Sequence, residues 1–314
     1  MRVEPDTEEA VDERTRLLGR MRRVLERAEL APPGNDGLRH PAAVEVAHTA
    51  QQALRAGPLG AERRRRLAER LERVSPSAFA PADPQGHLSR SVTRALRSVP
   101  AHRGVDGQPA TAGVVVWQEH EREALARAVG LLTRVWPQAA AEVRETVAEI
   151  ALLEGDAIDG FTDFTIHGAI LVHRARLTDS AAGLPGPVRF AEALVHEGAH
   201  TRCNAAALTG PFLLPDRHEG AGAAPRGEDL LVETPLRADP RPLTGLFQQT
   251  VVLARSVLLY RRLAGLSPVV DSRHEMLVGS AHQAVHALGA HADKLTPHGR
   301  QLLAECADHV GAAT

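Results

Sequence analysis

Lysine is almost missing from this chain: among 314 residues only Lys294 is one, and arginine carries nearly all the positive charge. Together with abundant Ala, Leu and Gly, that skew reflects genome base composition rather than a function. Surplus charge is missing too. At a formal net charge of -2 the chain lacks the basic footprint of a nucleic-acid or anionic-membrane binder. Cysteine is scarce, with Cys203 and Cys306 the only two and neither in a C-x-x-C, so a disulfide framework is excluded and a reducing cytoplasm is the expected compartment. No stretch reaches the roughly 18 apolar residues of a membrane-spanning helix. The N-terminal MRVEPDTEEAVDERTRLLGRM is acidic and lacks the apolar core of a secretory signal, so neither export nor membrane insertion is expected. A hydrophobic share of 43% and a charged share of 24% fit a soluble globular protein, long enough for one large domain or two ordinary ones.

What is plentiful is helical periodicity. Residues 9 to 29 place Val11, Leu17, Leu18, Met21, Val24 and Leu25 at helical spacing and stop before Pro32-Pro33-Gly34, and 41 to 56 and 60 to 74 read as two further helices. Arg63 to Arg66 form a basic run, but Glu62, Glu69 and Glu72 intersperse it, which marks a solvated helix face. Residues 75 to 113 are rich in Pro, Gly and Ser, with a short helix expected near 88 to 98, and form the best candidate for a boundary. The expected division is a helical N-terminal portion, 1 to 110, and a metal-binding catalytic core, 111 to 314.

In that core a strand-like GVVVWQ precedes a helical pattern from Glu119 to about Leu153, restarted at Pro137. Phe161 to Ala175 has the apolar and β-branched content of a strand, and Gly168 inside it marks a bulge or a close approach. Residues 215 to 229 read as a loop. Pro235, Pro240 and Pro242 hold the next stretch extended, and helices are expected at 243 to 263, 270 to 288 and 297 to 310.

The chemistry concentrates in FAEALVHEGAH, Phe190 to His200, where His196, Glu197 and His200 stand in the order H-E-x-x-H. On a helix, positions four apart lie one above the other, with Cβ atoms roughly 5 to 6 Å apart, so both imidazoles can reach one metal ion. Glu197 lies about 100° further round, where a carboxylate can act on a metal-bound water. The alternative is a structural histidine pair on a core helix, since 16 histidines make chance matches to a five-residue pattern easy.

Two histidines need at least one more protein ligand. Glu233, 33 residues beyond His200, is the first candidate, Asp239 the second and His167, in the strand-like stretch, the third. Arg237 and Arg241 flank Asp239, and an arginine fork suits either an acidic cosubstrate or a salt bridge to a nearby carboxylate. Gln248 and Gln249 sit early on an apolar helix, placed to bond toward the site or to cap local backbone. His282 and His286 are also four apart, but with Gln283 between them and polar neighbours they read as a solvent-facing stripe. His218-Glu219 and His274-Glu275 lack the second histidine.

HEGAH followed about 35 residues later by PLRADPRPLTGLFQQ resembles the bacterial H-E-x-x-H proteins of peptide natural-product pathways, a family of 2-oxoglutarate-dependent, non-haem iron peptide β-hydroxylases. The likeness covers roughly Thr162 to Leu263, and its most specific part pairs HEGAH with D-P-R-P-L-x-G-L-x-Q, Asp239 to Gln248. It departs from the family at Leu236, where Pro-Trp-Arg is usual, and at Val251, where an aromatic is usual; these bear on peptide specificity. The resemblance implies iron(II) on His196 and His200, and Arg237 or Arg241 near 2-oxoglutarate.

The expectation is therefore an α+β, mainly helical protein with a zincin-like core, a small sheet and the H-E-x-x-H helix. Its expected reaction is hydroxylation of a side chain on a peptide or amino acid, with iron(II), 2-oxoglutarate and dioxygen. Two alternatives stand beside it. One is a zinc metallopeptidase, in which Glu197 deprotonates a metal-bound water; the other is a helical binding protein whose motif is vestigial.

Overall fold

The computed structural model describes residues 1–74, 79–81, 86–97, 109–215, 231–234 and 237–311, with the side chains of 233, 234 and 237–241 outside that description. It is mainly helical, with a small mixed sheet. Helices α1 (Thr7–Arg27), α2 (Asn35–Arg39), α3 (Pro41–Arg55), α4 (Ala61–Glu72) and α5 (Gly86–Leu96) come first. The sheet then assembles from β1 (Ala112–Val115), β2 (Glu149–Gly155), β3 (Gly160–Thr162) and β4 (Ala169–His173), with α6 (Glu119–Val135) and α7 (Pro137–Thr146) between its first two strands. The remainder is α8 (Gly186–Ala207), the pair β5 (Leu231–Thr234) and β6 (Arg237–Pro242), then α9 (Leu243–Arg262), α10 (Pro268–Gly289) and α11 (Pro297–Gly311).

The sheet runs β1-β2-β4-β3, with β2 and β4 parallel and both edges antiparallel. Its two faces serve different cores. Ile150, Leu152, Ile170 and Val172 join the main cluster with Phe190 and Leu194 of α8, while Ala151, Leu153, Ala169 and Leu171 pack against Leu88 and Val92 of α5. Each fully buried Leu, Ile or Val among them contributes roughly 1.5–3 kcal/mol. A third cluster belongs mainly to α1 to α4, through Leu17, Leu25, Leu38, Ala47 and Leu67 among others.

Two expectations are corrected here. The helical pattern from Glu119 does not continue to Leu153: α7 ends at Thr146, and EIALLEG is the central strand β2. A strand covered on both faces is apolar at successive positions, so it loses the period-2 alternation that would separate it from a buried helix. Phe161 to Ala175 is not one strand either; β3 and β4 are antiparallel neighbours joined through a short 3-10 turn at Phe164–Ile166. Gly168 closes that turn at φ +97°, and this positive φ rather than crowding calls for glycine, since a Cβ there would make only an ordinary 3.4 Å contact with the Arg39 carbonyl oxygen. The helices expected at the two ends of the chain are present, and Arg65 and Arg66 pair with Glu62 on an exposed face, as a solvated run should.

Helix α8 is the hub. It is buried along nearly its whole length, against α6, α7, α9 and strands β3 and β4. Gly186 at its start is required by contact, since a Cβ would stand 2.4 Å from the Leu177 carbonyl oxygen. On the side away from the histidines, Arg202 is held by Glu13, by Glu9 at 2.9 Å and by Glu142 at 3.3 Å, and Arg255 of α9 meets the same Glu142. These buried charges compensate one another, so the network locks α8, α7, α1 and α9 into one arrangement.

Candidate metal centre

The stripe along one edge of α8 reads Glu192, His196, His200, Asn204, four residues apart at each step, so all four share a face. The rings of His196 and His200 lie with centroids 5.2 Å apart at an interplanar angle of 62°. Both line a cavity of about 540 Å³ whose walls also include Glu197, Gly160 and Val172 from the strands, and Gln249 and Leu253 of α9. Both imidazoles thus line the same cavity.

The second layer of contacts decides what His200 can do. Its Nδ1 lies 2.8 Å from Oε1 of Gln248, and the Gln248 amide nitrogen in turn donates to Oδ1 of Asn204 at 3.0 Å. Because Asn204 takes the amide N–H, the Gln248 oxygen faces the ring and accepts from Nδ1–H. That fixes the tautomer and leaves Nε2 with its lone pair, as a metal ligand requires.

Glu197 is buried, and burial pushes its carboxyl above the usual carboxylate range, against the opposing pull of His200 and of the hydrogen bond from Thr162. The Thr162 hydroxyl donates to Oε2 at 2.7 Å, and Gly160 leaves room for Oε1, because a Cβ there would come within 2.9 Å of it. The edge strand β3 therefore shapes the carboxyl's seat. Two guanidiniums also line the cavity. Arg273 of α10 reaches Oε1 of Glu192 at 2.5 Å, where the hydroxyl of buried Tyr260 also donates to Oε2 at 2.6 Å, and Arg176 pairs with Asp159. Both arginines also line an adjoining cavity of about 650 Å³.

Of the residues singled out from sequence, His196, Glu197 and His200 come together on the cavity wall. Gln248 reaches His200 instead of lining the cavity, and its neighbour Gln249 lines it. The side chains of Glu233, Asp239, Arg237 and Arg241 lie outside the described residues; their backbones form the β5-β6 ribbon, which lies against α9. His167 is not a partner of the pair. It is buried beside His48 and Phe164 under α3, where desolvation lowers its pKa to about 4. A histidine in a turn that folds back under the N-terminal helices cannot also face α8. His282 and His286 are exposed on α10, while His218 and Glu219 lie outside the described residues.

Sequence reading missed Thr162, Asn204, Arg273 and Arg176. A signal existed for Asn204, which continues the four-residue stripe of the two histidines. None existed for the others, which arrive from separate elements. No known family model matches the chain, and no curated protein matches it.

Two imidazoles, one with its tautomer set by an amide, supply two of the three or more protein ligands that iron(II) or zinc needs. Among the described residues no third His, Cys, Asp or Glu groups with them, and the side chains of Glu233 and Asp239 lie outside that description.

Proposed function

We propose that the protein is an iron(II)- and 2-oxoglutarate-dependent hydroxylase acting on a side chain of a peptide or amino acid. The observation that carries this reading is where the two halves of the sequence likeness meet. HEGAH lies on α8 and D-P-R-P-L-x-G-L-x-Q runs through β6 into α9, yet Gln248, the last residue of the second, bonds His200, the last of the first, at 2.8 Å. A zincin-like core fits the same layout, with a sheet edge beside the H-E-x-x-H helix.

Bound on His196 and His200, iron would supply, with 2-oxoglutarate and dioxygen, the oxidising power to hydroxylate an unactivated carbon. The chain's own contributions are separate. Gln248 and Asn204 orient one ligand, Glu197 holds or releases a proton beside the site, and Arg273 and Arg176 line the cavity already paired with Glu192 and Asp159. A distal carboxylate needs an arginine fork, for which Arg237 and Arg241 are the candidates, whereas a peptidase has no such need. The rival zinc metallopeptidase draws support from Glu197, whose raised pKa suits a general base.

The test is anaerobic loading with iron(II), followed by oxygen and 2-oxoglutarate with peptide and amino-acid substrates. Succinate formation that disappears in His196→Ala and His200→Ala but persists in His282→Ala is the expected result. Peptide cleavage with zinc, without any 2-oxoglutarate consumption, would reverse the assignment. Arg241→Ala and Arg237→Ala, tested separately for their 2-oxoglutarate requirement, assign the cosubstrate's seat.

A further inference from the structure

Five buried glutamates of the described residues meet an arginine: Glu13, Glu45, Glu121, Glu142 and Glu192. Two do not, and each sits beside histidines instead. One is Glu197, in the cavity. The other is Glu149, the first residue of β2, on the sheet face turned away from α8 and only 1% exposed. A carboxylate taken out of water without a cation is costly, so its compensation has to come from elsewhere.

The neighbours of Glu149 are His87, near the start of α5, and His40, the residue that caps α3. His87 Nε2 lies 2.7 Å from Oε2 of Glu149, and the two imidazole rings are 5.4 Å apart at 69°. The histidines are 2% and 1% exposed. One ligand atom from each of the three residues falls within 4.8 Å of the other two, and they are the only His, Cys, Asp or Glu group of that kind among the described residues. Two polar atoms here are buried with no partner at all: Oε1 of Glu149 and Nε2 of His40. Buried polar atoms are normally satisfied, so two orphans in one nest point to a missing occupant.

We propose that His40, His87 and Glu149 form a second site, for a structural divalent cation of the zinc class. Two imidazole nitrogens and one carboxylate oxygen are a donor set for zinc, and an enclosed position suits a structural ion, with a trapped water completing four-coordination. The ion neutralises Glu149 and joins three separate elements, α3, α5 and β2, so it clamps the N-terminal helices onto the sheet whose other face carries α8. It has no part in the reaction proposed above. Binding has one local cost. His40 Nδ1 accepts the Ala42 amide hydrogen at 3.1 Å, which leaves the ring's proton on Nε2. For Nε2 to bind a cation as a neutral imidazole, the proton must move to Nδ1, so uptake gives up the cap to Ala42.

The test uses the full-length His196→Ala/His200→Ala double variant, in which the cavity pair cannot contribute. After exposure to Zn(II) and removal of loosely held metal, the double variant is expected to retain about one equivalent, with an X-ray absorption edge showing two imidazoles and no sulfur. Adding His87→Ala should remove it. A double variant that is folded by circular dichroism and retains no zinc overturns the proposal, since a buried water then occupies the nest. So does an equivalent that His87→Ala leaves in place. Should the triple variant fail to fold, the absorption spectrum of the double variant decides, and fewer than two imidazoles overturns it. Failure of the cavity reading looks different: wild type then retains no more zinc than the double variant.

Discussion

Replacing Gln248 by Leu separates an orienting amide from a bystander. Gln248 accepts from His200 Nδ1–H at 2.8 Å and donates to Asn204 at 3.0 Å, so the substitution leaves one donor and one acceptor without partners in a half-buried position. Each orphaned group costs about 1–3 kcal/mol when water cannot replace the bond, and less here because the position is only half buried. The larger effect falls on metal affinity. With the ring free to rotate and to carry its proton on either nitrogen, affinity should fall by about 10–100-fold, or about 1.4–2.7 kcal/mol. Zinc is the convenient probe because it has no redox chemistry. A competition titration against a chelator, following only the ion that His196→Ala/His200→Ala removes, reads the change directly. Gln248→Glu, which keeps an acceptor, should retain most of the affinity. If Gln248→Leu holds the ion as tightly as wild type while His200→Ala loses it, the amide does not orient the ligand. If His200→Ala also holds it, the metal reading of α8 is refuted.

Gly160→Ala sets a Cβ 2.9 Å from Oε1 of Glu197 and, on the proposed function, should cut 2-oxoglutarate turnover by about 100-fold by displacing that carboxyl, with the melting temperature little changed. Unaltered turnover would mean that the seat of Glu197 is irrelevant. Glu142→Ala leaves the guanidiniums of Arg202 and Arg255 buried without their shared carboxylate and should cost about 3–5 kcal/mol in urea unfolding, whereas Glu62→Ala on the exposed face should leave the midpoint where it is. His167 should make the fold acid-sensitive. Its pKa is about 4 when folded against 6.5 when exposed, so the unfolded chain binds the extra proton between those values and stability, complete above pH 6.5, falls as pH drops. Between pH 6.5 and 5 the loss is roughly 2 kcal/mol, added to by half-buried His48, whose pKa partial burial also lowers. A His167→Asn protein should show a flatter stability profile over that range, and an unchanged slope would place the acid sensitivity elsewhere.

Local pattern alone determined the mainly helical class, most helix positions, the pairing of His196 with His200, the exposed face of Arg63 to Arg66 and the special backbone at Gly168. Each depends on residues within a few positions of one another, and helical periodicity carries that information. Strand β2 was hidden because a strand buried on both faces is apolar throughout and looks like a continuing helix. Only tertiary structure decided which histidines work with which partners. It brought Gln248 across 48 residues to fix the tautomer of His200, folded His167 away under α3, and gathered His40, His87 and Glu149 from a helix cap, a helix start and a strand end. Such contacts follow from which faces of separate elements bury together. That choice is made by the packing of the whole chain, and no window of neighbouring residues contains it.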